Sequence, residues 1–323
     1  MKNLKFLAIL TATLFLSNIF CSCEEDESTS RQIQMDGINF LIGTEDGANA
    51  SVMPQTDQKN AYAGDIVIPS SVTYKGVTYP VTSIGNAAFS GCTGVTSVTI
   101  PNSVKSIGNG AFSGCTALAK VTLNSEAIVA KQHSRTNNIV TIFGTQVKEY
   151  IVGEDAYLYI PENAFYGASD LETFTIGKNV NFALHFAFEN CPKLTKFIIN
   201  SEWVGTSANS NGDNVASVLG DQVEEVIIGD NVSKISNSAF CNAPNLKSIT
   251  LGKGVKKIGE YVFDGCNKLR QISCRGENVP ECSPVTFWHI NLGNCVLYVP
   301  KAAIETYKAS YIWGMFGTIL PID

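Results

Sequence analysis

Three histidines and ten cysteines carry most of the chemistry this chain has to offer. His133, His185 and His289 lie far apart, in separate stretches, and no serine, cysteine or carboxylate is spaced with them as a nucleophile and base would be. No G-x-S-x-G, H-E-x-x-H, phosphate loop or dinucleotide fingerprint occurs, and Gly108-Asn109-Gly110 and Gly252-Lys253-Gly254 read as turn glycines. Asn209-Ser210-Asn211-Gly212-Asp213-Asn214 offers oxygen ligands of the kind that hold calcium, but without the spacing or closing glutamate of an EF-hand it reads as a polar loop. No pair of cysteines is spaced C-x-x-C, which argues against both a zinc site and a redox centre. The expectation is therefore of a protein that is not an enzyme and needs no metal or cofactor.

The compartment is the next inference. Lys2 and Lys5 precede an apolar run from Phe6 to Phe20, too short and too early for an ordinary spanning helix, as in a signal peptide. The run ends at Phe20-Cys21-Ser22-Cys23, which resembles the lipobox of bacterial lipoproteins. Cys23, preceded by small Ser22, is the expected lipidated residue, and Cys21, behind bulky Phe20, is the weaker candidate. Glu24 to Glu27 continue as an acidic tract similar to that of surface-exported lipoproteins, or as the start of a solvated linker. Removing residues 1–22 takes away two lysines and no acid, so the net charge moves from −6 to −8, 21 basic against 29 acidic side chains. An acidic body argues against nucleic acid as a partner. The lipid anchor would be the sole membrane attachment, placing the chain at the outer membrane and on the cell surface.

What must position any site is a repeat. Ile84-x4-Phe89-x2-Cys92-x2-Val95-x2-Val98-x-Ile100 returns 23 residues later as Ile107, Phe112, Cys115, Leu118, Val121 and Leu123. The frame recurs around Phe165 and Phe188, then around Phe240 and Phe263. Between these pairs lie two longer turns, matched at an offset of 76 by Asn124-Ser125-Glu126 with Asn200-Ser201-Glu202 and by Gly144 with Gly220. Phe143 and Leu219 take the aromatic position there, with Phe287 as the ninth anchor, and the extra residues fall in polar segments 131–138 and 206–214.

Alternate side chains of L-x-x-V-x-I lie on one strand face that a single short strand cannot bury. Stacked turns bury it, with strands paired in parallel and Phe and Cys columns inside. The fold class expected is thus a leucine-rich-repeat solenoid: β-rich, one parallel strand per turn of about 23 residues, an irregular convex side and a cap closing each end. The boundaries expected are a signal peptide 1–22, an acidic linker 23–32, a β cap 33–80, about nine repeat turns over 81–296 and a closing cap 297–323. Cys92, Cys115, Cys191 and Cys266 read as small core fillers, because Ala168 and Ala243 occupy the same column. Cys241 stands alone, and Cys274, Cys282 and Cys295 leave room for one bridge whose pairing stays open.

The pattern I-x-x-x-A-F-x-x-C-x-x-L-x-x-V-x-I-P, as in Ile84 to Pro101 and Ile107 to Cys115, resembles the BspA-like class of leucine-rich repeats over residues 81 to 300. Asp65 to Val72 with Gly76 to Ile84 resembles that family's hairpin-like cap, and Leu297 to Pro300, Ala303 to Lys308 and Trp313 its closing strand and helix, which implies an N-terminal β cap and a short C-terminal helical cap. The resemblance implies an adhesin-like or antigen-like surface protein, with host matrix or other cell-surface proteins as partners.

A binding site on such a solenoid is expected where side chains leave the open face of the sheet. One outward column runs Thr99, Thr122, Ile151, Thr175, Ile198, Ile227, Thr250 and Ser273, and the other Ser97, Lys120, Glu149, Thr173, Lys196, Glu225, Ser248 and Gln271. Such a face can be a ladder of β-branched residues that needs no partner. It can equally be a recognition surface, in which Ile151, Ile198 and Ile227 offer apolar area between Lys120, Glu149, Lys196 and Glu225. A glycan is the second class of ligand, disfavoured by the lack of aromatics in these columns, and a purely structural envelope component is the third.

Overall fold

The computed structural model describes residues 30–43, 48–55, 61–132, 134–154, 158–178, 180–182, 187–205 and 215–322. The lipobox, the acidic tract up to residue 29, His133, His185 and segment 206–214 lie outside these residues.

The chain enters through β1 (Arg31–Met35), β2 (Ile38–Gly43) and β3 (Asn49–Met53), an antiparallel meander. Asp36 and Gly37 turn the first hairpin with positive φ at both positions, the backbone that a two-residue connection between twisted strands requires. Alternation in β2 puts Ile38, Phe40 and Ile42 inside. After β4 (Ala63–Val67), strands β5 (Ser71–Tyr74) and β6 (Val77–Ile84) form a second antiparallel hairpin, and β6 lies parallel to β3.

From there the chain coils. Strand β4 is followed in one parallel sheet by β7 (Gly94–Ile100), β9 (Lys120–Leu123), β10 (Glu149–Val152), β12 (Thr173–Ile176), β14 (Lys196–Ile199), β15 (Glu225–Ile228), β17 (Ser248–Leu251), β19 (Gln271–Cys274), β20 (Val296–Val299) and β21 (Thr318–Pro321). Shorter strands pair across other sides of the turns: β8 (Ser106–Ile107) with β6, β11 (Leu158–Ile160) with β13 (Val180–Phe182), and β16 (Lys234–Ile235) with β18 (Lys257–Ile258). The register follows the repeat, so Val98, Val121, Tyr150, Phe174, Phe197 and Val226 oppose one another in turn and are all buried. The solenoid is the expected one. Its sheet runs one strand further than the closing strand read from the sequence, because Thr318 to Pro321 pair in parallel with β20.

Beneath the sheet an aromatic column runs Tyr62, Phe89, Phe112 and Phe143 with ring centroids 4.8, 5.0 and 4.8 Å apart. It continues through Phe165 and Phe188, passes Leu219, and resumes at Phe240, Phe263 and Phe287, where Trp313 and Phe316 close it. Tyr62 is the unforeseen first member: its hydroxyl accepts from Asn39 N–H and donates to Met53 C=O, both at 2.9 Å, tying the meander to the first turn. The column reaches its irregular members by helices. In the first long turn Ser125 caps α1 (Glu126–Val129) and Asn138 caps α2 (Ile139–Phe143), which ends on Phe143; in the second, α3 (Val215–Leu219) ends on Leu219. The closing α4 (Ile304–Ala309) holds buried Tyr307, whose hydroxyl donates to Gly276 C=O at 3.1 Å.

The cysteine column does more than fill space. Cys115, Cys191 and Cys266 each donate their S–H to the carbonyl of the buried phenylalanine one turn earlier, Phe89, Phe165 and Phe240, at 3.1 to 3.2 Å. Ala168 and Ala243 follow the two long turns, and there a glutamine replaces the thiol: Gln146 Nε2 donates to Phe143 C=O at 2.8 Å and Gln222 Nε2 to Leu219 C=O at 3.3 Å. Each glutamine sits two residues after a positive-φ glycine, Gly144 or Gly220, where a Cβ would collide with the amide. A helix-ending carbonyl inside an apolar stack needs a donor. The sequence reading of this column as volume alone is thereby corrected: the alanines are tolerated because Gly-x-Gln supplies the missing hydrogen bond.

Candidate functional site

The open face of the parallel sheet carries both expected columns. Each four-residue strand from β9 to β20, β12 and β19 apart, alternates half-buried and buried residues, so its first and third side chains stay on the outer face while the others fill the core. Ile198 and Ile227 are direct neighbours across β14 and β15, both half-buried. Ile151 lies two strands away, separated from Ile198 by Thr175, which is itself buried. The structure thus brings two of the three isoleucines together.

The four charged residues are not isolated. Lys120 and Glu149 oppose each other in register and pair at 3.1 Å, and Lys196 and Glu225 do the same at 3.0 Å. Three further cross-turn pairs border the same edge: Lys148 with Glu172 at 3.0 Å, Lys247 with Glu224 at 2.7 Å and Lys193 with Asp170 at 2.6 Å. The Lys193 ammonium holds the Asp170 carboxyl below its ordinary range. At the start of the sheet, Asp65 accepts from Ser97 Oγ at 2.7 Å and Thr96 Oγ1 at 2.9 Å, which lowers its pKa likewise. Pairs this exposed add little to stability, because solvent and salt screen them. Their effect is to leave the face nearly neutral, with a short apolar strip at its middle.

The isoleucine column extends at both ends beyond the residues foreseen. Val67 begins it in β4, strongly exposed, and Tyr298 and Leu320 end it, opposed in register across β20 and β21. Tyr298 puts an aromatic ring on a face whose columns, read as far as Ser273, hold none. The signal for it was present in Leu297-Tyr298-Val299, a period-2 run assigned only to capping.

The remaining candidates for chemistry are placed as follows. Cys274, Cys282 and Cys295 form no bridge with one another, and Cys92, Cys115, Cys191 and Cys266 are likewise thiols. Burial pushes the thiols of Cys115 and Cys191 up to about 11 and those of Cys266 and Cys282 up to about 12, so they are poor nucleophiles and poor metal ligands. Among the described residues, no group of three or more His, Cys, Asp or Glu could hold a metal ion. His289 Nδ1 meets Asp264 Oδ1 at 2.8 Å on the surface. The insertion at 131–138 is tied down by Arg135, whose guanidinium meets both oxygens of Glu189 and lies 4.9 Å from the Tyr166 ring centroid. No helix among the described residues is long and apolar enough to cross a membrane.

Against known families, a model described as a BspA type leucine rich repeat region matches in six copies, over residues 65–142, 141–218 and 220–308. Among solved structures, the chain is similar to a leucine-rich repeat protein from Bacteroides ovatus, with 21% identity over 90% of this chain and 76% of that one and a TM-score of 0.31. It is also similar to a leucine rich cell surface protein from Faecalibacterium prausnitzii, with 20% identity over 92% and 96% of the two chains and a TM-score of 0.28. A leucine rich repeat protein of T. pallidum shares 19% identity over 74% of this chain and 91% of its own, with a TM-score of 0.34. No curated protein matches the chain.

Proposed function

Because the chain belongs to the BspA-type leucine-rich-repeat family, we propose that it is a non-enzymatic, lipid-anchored cell-surface module that recognises a protein through the open face of its sheet. The observation that carries this reading is the middle of that face, where Ile198 and Ile227 sit side by side between charges already neutralised by their own neighbours. A partner covering this strip gains apolar contact without having to strip water from unpaired charge. Protein partners at the cell surface, a host matrix protein among them, fit such a long and nearly neutral surface better than nucleic acid does. Lys120, Glu149, Ile151, Lys196, Ile198, Glu225 and Ile227 are the proposed contact residues, and Cys23 the anchor.

The test compares the wild-type chain with Ile198→Ser/Ile227→Ser and with Lys196→Glu and Glu225→Lys for retention of matrix and cell-surface proteins. Binding weakened about tenfold or more by either change supports the reading, that being the loss of a modest hot spot. Variants that keep every partner reduce the face to a self-sufficient ladder. Labelling of intact cells with a membrane-impermeant reagent, strong in the wild type and lost in Cys23→Ala, tests the anchor separately.

A further inference from the structure

We propose a second, glycan-binding site on the loop side of the last two turns, built from Tyr261, Trp288, Asp264 and His289, and separate from the open face of the sheet. The repeat itself points to it, because each turn reuses the same positions and departures stand out. The position two residues before the buried aromatic has positive φ in turn after turn and is filled by Ala87, Gly110, Asn163 and Ser238. At φ 56° Tyr261 holds that place, with its ring exposed. The position two residues after the aromatic is glycine or asparagine in the earlier turns, as at Gly114 and Asn242, and at φ 59° His289 holds it. A bulky side chain in the left-handed region is uncommon, and such strain concentrates at binding sites. Here these two left-handed residues flank Trp288, whose large ring is itself left exposed.

Their geometry is suited to a sugar ring. The Tyr261 and Trp288 rings lie 6.5 Å apart at 74°, a floor and a wall. His289 closes the other flank at 5.4 Å from Trp288. The backbone is fixed, since the N–H groups of Tyr261 and Trp288 both donate to Val285 C=O, at 3.1 and 3.2 Å. Asp264 Oδ1 holds His289 Nδ1 at 2.8 Å, which leaves the second carboxylate oxygen and Nε2 for hydroxyl groups at the rim of the aromatic corner. A pyranose presents these two characters together, an apolar C–H face for the rings and an equatorial set of hydroxyls for the acid and imidazole. A folded protein is the poorer fit, because four side chains on two turns fall well short of the roughly 800 Å² per partner of a stable interface.

The experiment is titration of the full chain against a panel of glucose, galactose, mannose and N-acetylhexosamine oligosaccharides, with Trp288→Ala, Trp288→Phe, Tyr261→Ala and Asp264→Asn beside the wild type. Wild-type binding to at least one class is expected, with Trp288→Ala weakening it about tenfold or more while Trp288→Phe retains most of it. Trp288 is on the surface, so unchanged melting of the alanine variant certifies the fold. Absence of binding to every oligosaccharide at millimolar concentration overturns the proposal, as does binding that Trp288→Ala leaves within twofold. A protein ligand captured through Trp288 with no sugar retained overturns it as well. Ile198→Ser/Ile227→Ser is expected to leave sugar binding unchanged, so this site and the sheet face stand or fall separately.

Discussion

Gln146→Ala is expected to destabilise the chain by about 2–4 kcal/mol, and Ala168→Cys to restore part of the loss. Gln146 Nε2 serves two carbonyls, Phe143 C=O at 2.8 Å and Cys115 C=O at 3.0 Å. The second keeps another donor, Leu118 N–H at 3.1 Å, so losing the amide there costs only a net hydrogen bond, about 0.5–1.5 kcal/mol. Phe143 C=O ends α2 inside the aromatic column, and orphaning it costs its desolvation, about 1–3 kcal/mol. In neighbouring turns the equivalent carbonyl is served by a thiol, as Cys191 serves Phe165 at 3.2 Å. A cysteine at Ala168, in the same column, places that thiol one turn beyond Phe143. Alone, Ala168→Cys adds a sulfur to a filled site and is expected to cost about 1 kcal/mol. In the Gln146→Ala background it is expected to be favourable, giving a coupling of about 1 kcal/mol or more across the double-mutant cycle. Urea unfolding of the four proteins measures this, provided the transition is monitored by two probes, since stacked turns can unfold in parts. A Gln146→Ala loss below about 0.5 kcal/mol, or strict additivity with Ala168→Cys, refutes the exchange of amide for thiol.

Two further outcomes follow from buried polar groups. Tyr150 is fully buried in a column otherwise made of Val, Phe, Ile and Leu, and its hydroxyl has no hydrogen-bond partner among the described residues; Tyr150→Phe is therefore expected to raise stability by about 1 kcal/mol, and a variant less stable than the wild type would show that the oxygen is satisfied. Burial favours the neutral form of every column thiol, so with Cys115 and Cys191 raised to about 11 only about one thiol in a thousand is ionised at pH 8. Mass-spectrometric mapping after brief alkylation at pH 8 should then find Cys92, Cys115, Cys191, Cys266 and Cys274 unmodified in the native chain and all modified in urea, whereas rapid native labelling at Cys115 or Cys191 would contradict the buried column.

Much of the solenoid was legible because a stacked fold makes distant contacts periodic in sequence. Phe89 and Phe112 touch because they are one turn apart, so a 23-residue offset read along the chain is already a contact. The same logic placed Phe143 and Leu219 in the column although their turns are longer. What it missed are contacts with no periodic partner. Tyr62 lies before the first recognisable repeat, so no frame assigned it to the aromatic column. Strand β21 follows a helix and carries Pro321, which weakens any strand signal, yet it pairs because β20 would otherwise end the sheet with its edge open. Gln146 and Gln222 matter through a side chain reaching back three residues, which a column of residue types does not record.

The candidate site divides in the same way. Its columns, with Lys120 beside Glu149 and Lys196 beside Glu225 at 29 residues where other turns use 23, could be read from strand alternation and the repeat frame, but not that the side chains of each pair in that register close into an ion pair. That register changes the chemistry of the face. Charges that would have advertised a partner are largely spent on each other, and in the reading proposed above specificity comes from what the repeat does not average out: the adjacent isoleucines at its centre and the aromatic corner near its end. A solenoid conceals function in its uniform positions and displays it where a turn departs from the others at some cost in backbone strain. Tyr261 and His289 are such departures, left-handed residues where the other turns use small or flexible ones, and a change such as Tyr261→Asn is expected to relieve strain while abolishing the corner. Stability gained together with binding lost would identify the strain as maintained for recognition; stability gained with nothing lost would assign it to drift.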